Sequence, residues 1–127
     1  MHTSIVTKRP YVPLDWIERV SAILQPLPKC VESDAWTGVR WRVGGATIAH
    51  IFGGEDQQFR IVFKADDGEV GAFEHLGHPY FRSGWGENAV GIVIDEHTDW
   101  EEVGELLTDS YCLQAPPALA EQVQRPG

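Results

Sequence analysis

Residues 89–116 limit the fold more than any other part of the chain. Ala89-Val90-Gly91-Ile92-Val93-Ile94-Asp95 is an apolar run of strand length, and Glu96-His97 connects it to a helical pattern that begins at Thr98 and stops at Pro116. Short apolar runs bounded by polar residues suit core strands, and proline cannot continue a helix. This reads as a central strand with an amphipathic helix packed back over it. Thr98 and Glu101 have capping-box spacing, and Trp100, Val103, Leu107 and Tyr111 form the apolar seam.

The 127 residues make a single domain by length, with an ordered core expected over about 12–123 and frayed ends. Pro13 opens a helix that runs to about Gln25, where Pro26 and Pro28 end it. Residues 30–38 read as connecting chain containing a buried aromatic, Trp36. Val39-Arg40-Trp41-Arg42-Val43 alternates with the period of a half-buried strand, and strands follow at 46–52 and 57–64 after Gly44-Gly45 and Gly53-Gly54-Glu55-Asp56. Residues 66–77 predict a second helix with a capping box at Asp66 and Glu69, and a short helix is expected over 118–123.

A two-residue first turn would set Val43 opposite Ala46, Trp41 opposite Ile48 and Val39 opposite His50. A four-residue second loop would set Ile48 opposite Ile61, Ala49 opposite Arg60 and His50 opposite Phe59. Strand alternation then puts Val39, Trp41, Val43, Ile48, Phe59, Ile61 and Phe63 on one face, with His50 in that apolar row. The other face carries Arg40, Arg42, Thr47, Ala49, Arg60, Val62 and Lys64. The expected architecture is two-layer α+β, an antiparallel sheet with helices packed on one face.

No apolar window approaches the ~20 residues of a membrane span, and no secretory signal order is present, so a cytoplasmic protein with no membrane partner is expected. Cys30 and Cys112 are far apart, which leaves neither a CxxC motif nor a cysteine-based zinc site and makes two reduced structural thiols the reading. Nothing points to a cofactor. The net charge of −9, from 19 acidic and 10 basic residues, opposes indiscriminate binding to phosphate backbones. Where the cations sit therefore matters more than their sum.

Arg40, Arg42, Arg60 and Lys64 on one face are the candidate anion-binding residues, since alternating arginines suit bidentate capture of phosphate or carboxylate. The bland alternative is a solvated face whose arginines pair with Glu55, Asp56 or Asp67. His75 and His78 straddle a helix stop and suggest no third ligand, so no metal site is assigned. Glu101, Glu102, Glu105 and Asp109 line one side of the last helix, either as a solvated face or as a surface for a protein partner. Ser110 lacks the base and oxyanion hole that a nucleophile needs, so no catalytic residue is assigned. Trp36, Tyr80 and Trp85 form a candidate aromatic pocket for a small ligand.

Several stretches together resemble the MmcQ/YjbR-like family of small bacterial proteins. They are the Trp36 region leading into Val39-Arg40-Trp41-Arg42-Val43-Gly44-Gly45, Lys64-Ala65-Asp66, the approach from Tyr80 to Trp85, and Asp99-Trp100-Glu101-Glu102-Val103 through Ser110-Tyr111 to Ala115-Pro116. The resemblance implies a YjbR-like fold, related in layout to type III secretion chaperones, and DNA binding through two β-hairpin wings. Where relatives often carry arginine after the Ser-Tyr pair and lysine after the Ala-Pro, this chain has Cys112 and Pro117-Ala118. The expectation is a non-catalytic binding domain whose basic sheet face meets nucleic acid or another anion. The alternatives are a protein-interaction adaptor and a small-molecule binder or enzyme using the aromatic pocket.

Overall fold

The computed structural model describes residues 9–84 and 86–123. Helix α1 (Leu14–Leu24) is followed by β1 (Val31–Asp34), β2 (Val39–Val43), β3 (Ala46–Gly53) and β4 (Phe59–Lys64). Then come α2 (Asp67–Leu76), β5 (Tyr80–Arg82), β6 (Ala89–Ile94), α3 (Trp100–Gln114) and α4 (Pro117–Ala120). The strands form one antiparallel sheet in the order β1-β2-β3-β4-β6-β5. β6 lies inside the sheet, as its apolar run requires, and α3 packs over β3 and β4 with α1 beside it. This is the expected α+β arrangement. No helix among the described residues is long and apolar enough to cross a membrane.

Between sheet and helices lies one core, built on Trp41, Ile51, Ile61, Ile94, Leu24, Leu107 and Tyr111. Burying each large apolar side chain of this kind contributes about 1.5–3 kcal/mol. Trp16 of α1 meets Phe59 edge-on at 5.1 Å and Phe73 of α2 meets Phe63 at 6.0 Å, so α1, α2 and α3 all cover the same face.

Three local features depart from the sequence expectation. First, Val31–Asp34 is an edge strand rather than connecting chain; its Glu-Ser-Asp residues hid it, and edge strands tolerate such polarity. Glu32 turns inward, where its Oε1 accepts from Trp41 Nε1 at 3.2 Å and Ser21 Oγ at 2.9 Å. Second, Asp99 caps α3 instead of Thr98, accepting from the backbone N–H groups of Glu101 and Glu102 at 3.0 and 3.3 Å. Thr98 accepts from the Asp95 N–H, and Asp66 caps α2 without a side-chain bond.

Third, the strand registers move. Val43 pairs with Ala46 and Arg42 with Thr47 in the expected register, but Trp41 pairs with Ala49, which leaves Ile48 as the extra residue of a β-bulge. The β3–β4 connection is also not a four-residue loop at 53–56 but a turn set further along the chain. Gln57 N–H donates to Gly54 O at 2.9 Å, Gly54 N–H donates to Gln58 O at 2.8 Å, and Gln57 takes a φ of 69°. That is a type I turn closed by a left-handed residue, the usual three-residue hairpin. Ile51 consequently pairs with Ile61, Phe52 with Arg60 and His50 with Val62. Ala49 therefore joins the core, fully buried, instead of the cationic face, and His50 leaves the apolar row for the opposite side.

Candidate anion-binding site on the open sheet face

Because the three long helices cover one face, alternation turns Arg40, His50, Phe52, Arg60, Val62 and Lys64 to the other. Two recesses share this face. The first has a volume of about 380 Å³ and is lined by Arg9, Trp36, Arg40, His50, Val62 and Lys64, among others. The second, about 430 Å³, holds Arg9, Asp56, Arg60, Phe81 and Arg82. Arg9 and Val62 belong to both.

The four candidate cations thus do not converge on one point. Arg40 and Lys64 line the first recess, Arg60 lines the second, and Arg42 lines neither. Arg60 is also engaged. Its Nη1 donates to Asp56 Oδ1 at 2.9 Å while Nη2 meets Oδ2, and this guanidinium is the main reason the Asp56 carboxyl falls to about 2. The Arg60 guanidinium also lies 5.9 Å from the centre of the Phe81 ring. That ring has its place over the sheet only because Gly91 lies against it, where a Cβ would come within 2.1 Å of Phe81 Cζ.

In the first recess the cations are held differently. Lys64 Nζ donates to the carbonyl of Glu87 at 2.8 Å, and no carboxylate among the described residues pairs with Lys64 or Arg40. Arg40 Nε is buried without a hydrogen-bond partner, as is Ser33 Oγ, which belongs to the residue paired with it across β1 and β2. Arg9 arrives from the segment before α1, donating to Gly53 O at 3.3 Å and lying 5.9 Å from the centre of the Phe52 ring. Its contribution was invisible in the sequence, where Arg9 falls ahead of the ordered core expected from about residue 12.

His50 joins this group through the bulge. Its Nε2 donates to the carbonyl of Thr37, which ties the β1–β2 turn to β3. Burial lowers its pKa, and Arg40 and Arg9 push the same way, while the Thr37 bond opposes them. The ring is consequently neutral at pH 7.

Trp36 tops that turn and is 99% exposed, contrary to the buried position expected for it. The turn is closed by Ala35 N–H donating to Gly38 O at 2.9 Å. Gly38 has a φ of +87° and no room for a Cβ, which would stand 1.9 Å from Ile51 O. Tyr80 lies on the helix-covered side instead, against Phe73 at 5.0 Å, with its phenol pushed up to about 12 by burial and by a hydrogen bond with Glu102. The anticipated shelf of Trp36, Tyr80 and Trp85 is therefore not assembled: its first two members occupy opposite faces, and Trp85 lies outside the described residues.

Ser110 has a structural task that supports Lys64. Its Oγ accepts from the Lys64 backbone N–H at 3.0 Å and donates to Ile48 O at 2.7 Å. Tyr111 is buried beside it and donates to Pro28 O at 2.6 Å, while Gln114 Nε2 donates to Thr47 O at 3.0 Å. No cluster of His, Cys, Asp or Glu among the described residues is arranged to hold a metal ion.

The family model YjbR matches residues 25–113, a span that contains Trp36, Arg40, His50, Lys64 and the Ser110-Tyr111 pair. The chain belongs to the YjbR family. The crystal structure of Deinococcus radiodurans protein DR2400, with family-model domain DUF419, has a similar fold: its TM-score is 0.66 at 19% identity, over 87% of this chain and 88% of that one. No curated protein matches the chain. Within the YjbR domain Ser110 joins α3 to the sheet, and among the described residues Arg9 is the one recess cation contributed from outside the matched span.

Proposed function

We propose that this YjbR-family chain is a non-catalytic binding domain whose open sheet face receives an anionic partner, with nucleic acid as the partner class. One observation carries the proposal: in a chain of net charge −9, the described residues that line the first recess include three cations and a histidine and no carboxylate. An acidic surface elsewhere repels polyanions at a distance, so attraction acts locally and at short range. Arg9, Arg40 and Lys64 would contact phosphates and set position, not read bases. Arg60 contributes less while Asp56 holds it.

Three phosphate contacts imply modest affinity and a log-log salt slope of about −2 to −3. The test is fluorescence anisotropy with labelled single-stranded and duplex oligonucleotides at about 50 and 200 mM salt. Binding that weakens with that slope, and is lost on Arg40→Ala with Lys64→Ala, is the expected result. No binding at the lower salt would overturn the proposal, as would binding indifferent to the double substitution.

A further inference from the structure

We infer that the first recess captures one unpaired nucleotide of a single strand, its base stacked against Trp36 and its phosphate held between Arg40 and Lys64. This rests on the nucleic-acid reading above and specifies the form of the ligand. A face that met only duplex phosphates would need cations on a flat or convex surface. Here they border a concavity of about 380 Å³, within the range of small-ligand sites, whose floor includes the apolar Val62 and Ala89. Duplex DNA keeps its ring faces stacked away from such a floor, whereas an unpaired base presents one.

Trp36 supplies the second half of the argument. An indole that is 99% exposed contributes nothing to the core, yet the turn that carries it is firmly built. The Ala35–Gly38 bond, the Cβ-free Gly38 and the His50–Thr37 bond fix its backbone against β3. An aromatic carried on a fixed turn beside cations is an arrangement by which single-strand binders stack bases regardless of sequence. Arg40 on β2 and Lys64 on β4 stand two strands apart across the same recess, so a phosphate on the stacked nucleotide has a cation to either side.

The experiment measures binding of a short oligothymidylate, a duplex of equal length, thymidine 5′-monophosphate and inorganic phosphate to the full chain. The single strand should bind more tightly than the duplex, and thymidine monophosphate should displace it at lower concentration than inorganic phosphate does. Trp36→Ala should weaken single-strand binding about 10-fold and leave duplex binding unchanged, with Trp36→Phe restoring most of the loss. Because Trp36 is exposed, these variants leave the core intact, and unchanged thermal unfolding verifies that. Equal binding of strand and duplex, a silent Trp36→Ala, or phosphate competing as well as the nucleotide would overturn the inference while leaving the phosphate-binding face standing. Absence of any oligonucleotide binding would remove both.

Discussion

Ser110 bridges β3 and β4 where their pairing stops, at the bulged residue Ile48. Ile48 O and Lys64 N–H would face each other if β3 continued its pairing with β4 past Ala49 and Phe63. Instead the Ser110 hydroxyl stands between them, giving to the carbonyl at 2.7 Å and taking from the N–H at 3.0 Å. A helix thereby completes the sheet at the residue whose side chain enters the recess.

Ser110→Ala should strand both backbone groups in a dry environment. The expected loss is about 1–3 kcal/mol, seen as a fall of several degrees in the thermal midpoint. A midpoint within a degree of the parent would show that neither group depended on the hydroxyl.

The two turns flanking β2 should respond differently to a methyl group. Gly38→Ala places a Cβ against Ile51 O in a left-handed conformation, so urea denaturation should report a loss above about 2 kcal/mol. Gly44 has a φ of +56° but nothing within 4 Å of its would-be Cβ, and Gly44→Ala should cost only about 1 kcal/mol. Equal costs would contradict the packing of the β1–β2 turn onto β3.

His50 makes stability depend on pH in a definite direction. Its folded pKa lies below 6.5, chiefly because of burial, so between those two values the unfolded chain binds a proton that the folded chain refuses. The stabilisation is present above pH 6.5 and is lost as pH falls towards the folded value. Denaturant midpoints from pH 7.5 to 5.5 should decline, and His50→Gln, which retains a donor for Thr37 O, should flatten the decline.

Asp56 competes with any anion for Arg60. Asp56→Asn should free the guanidinium, tighten oligonucleotide binding and steepen the log-log salt slope by up to about 0.9. An unaltered slope would place Arg60 outside the binding surface. The carboxyl is held at about 2 mainly by Arg60, so in the parent this release requires acid: the pair's stabilisation is present above pH 3.8 and is lost as pH falls through about 2.

Cys30 should be a sluggish thiol. Burial, with Glu32 adding to it, raises its pKa to about 11 from 9.0, so its thiolate at pH 8 is roughly 100-fold scarcer than in the unfolded chain. Peptide mapping after timed iodoacetamide labelling should show Cys30 protected in native protein and reactive in urea. Comparable rates in both would contradict its burial.

Layer architecture, helix positions and most strands were legible because periodicity reports burial directly. β2 displays its alternation, β6 its apolar run, and the prolines at 13 and 116 punctuate α1 and α3. Membership of the YjbR family could also be read from the residues. The inner surface was harder, since a bulge leaves no compositional mark: Ile48 looks like any strand residue, and Gln57 is not the glycine that normally announces a left-handed turn position. The same two irregularities concealed His50 as a recess residue. Arg9 was missed because its value lies in a long-range contact with Gly53; Trp36 was named as a pocket residue, but its exposure was missed because an indole is usually read as core.

The extra residue in β3 gives that strand two parities, one before Ile48 and one after it. Exchanging a side chain there alters one neighbour. Removing a residue from the bulge would instead rotate everything up to the next turn, sending His50 and Phe52 inward and Ile51 out to solvent. The layout of the open face depends less on which side chains its strands carry than on how many residues they hold.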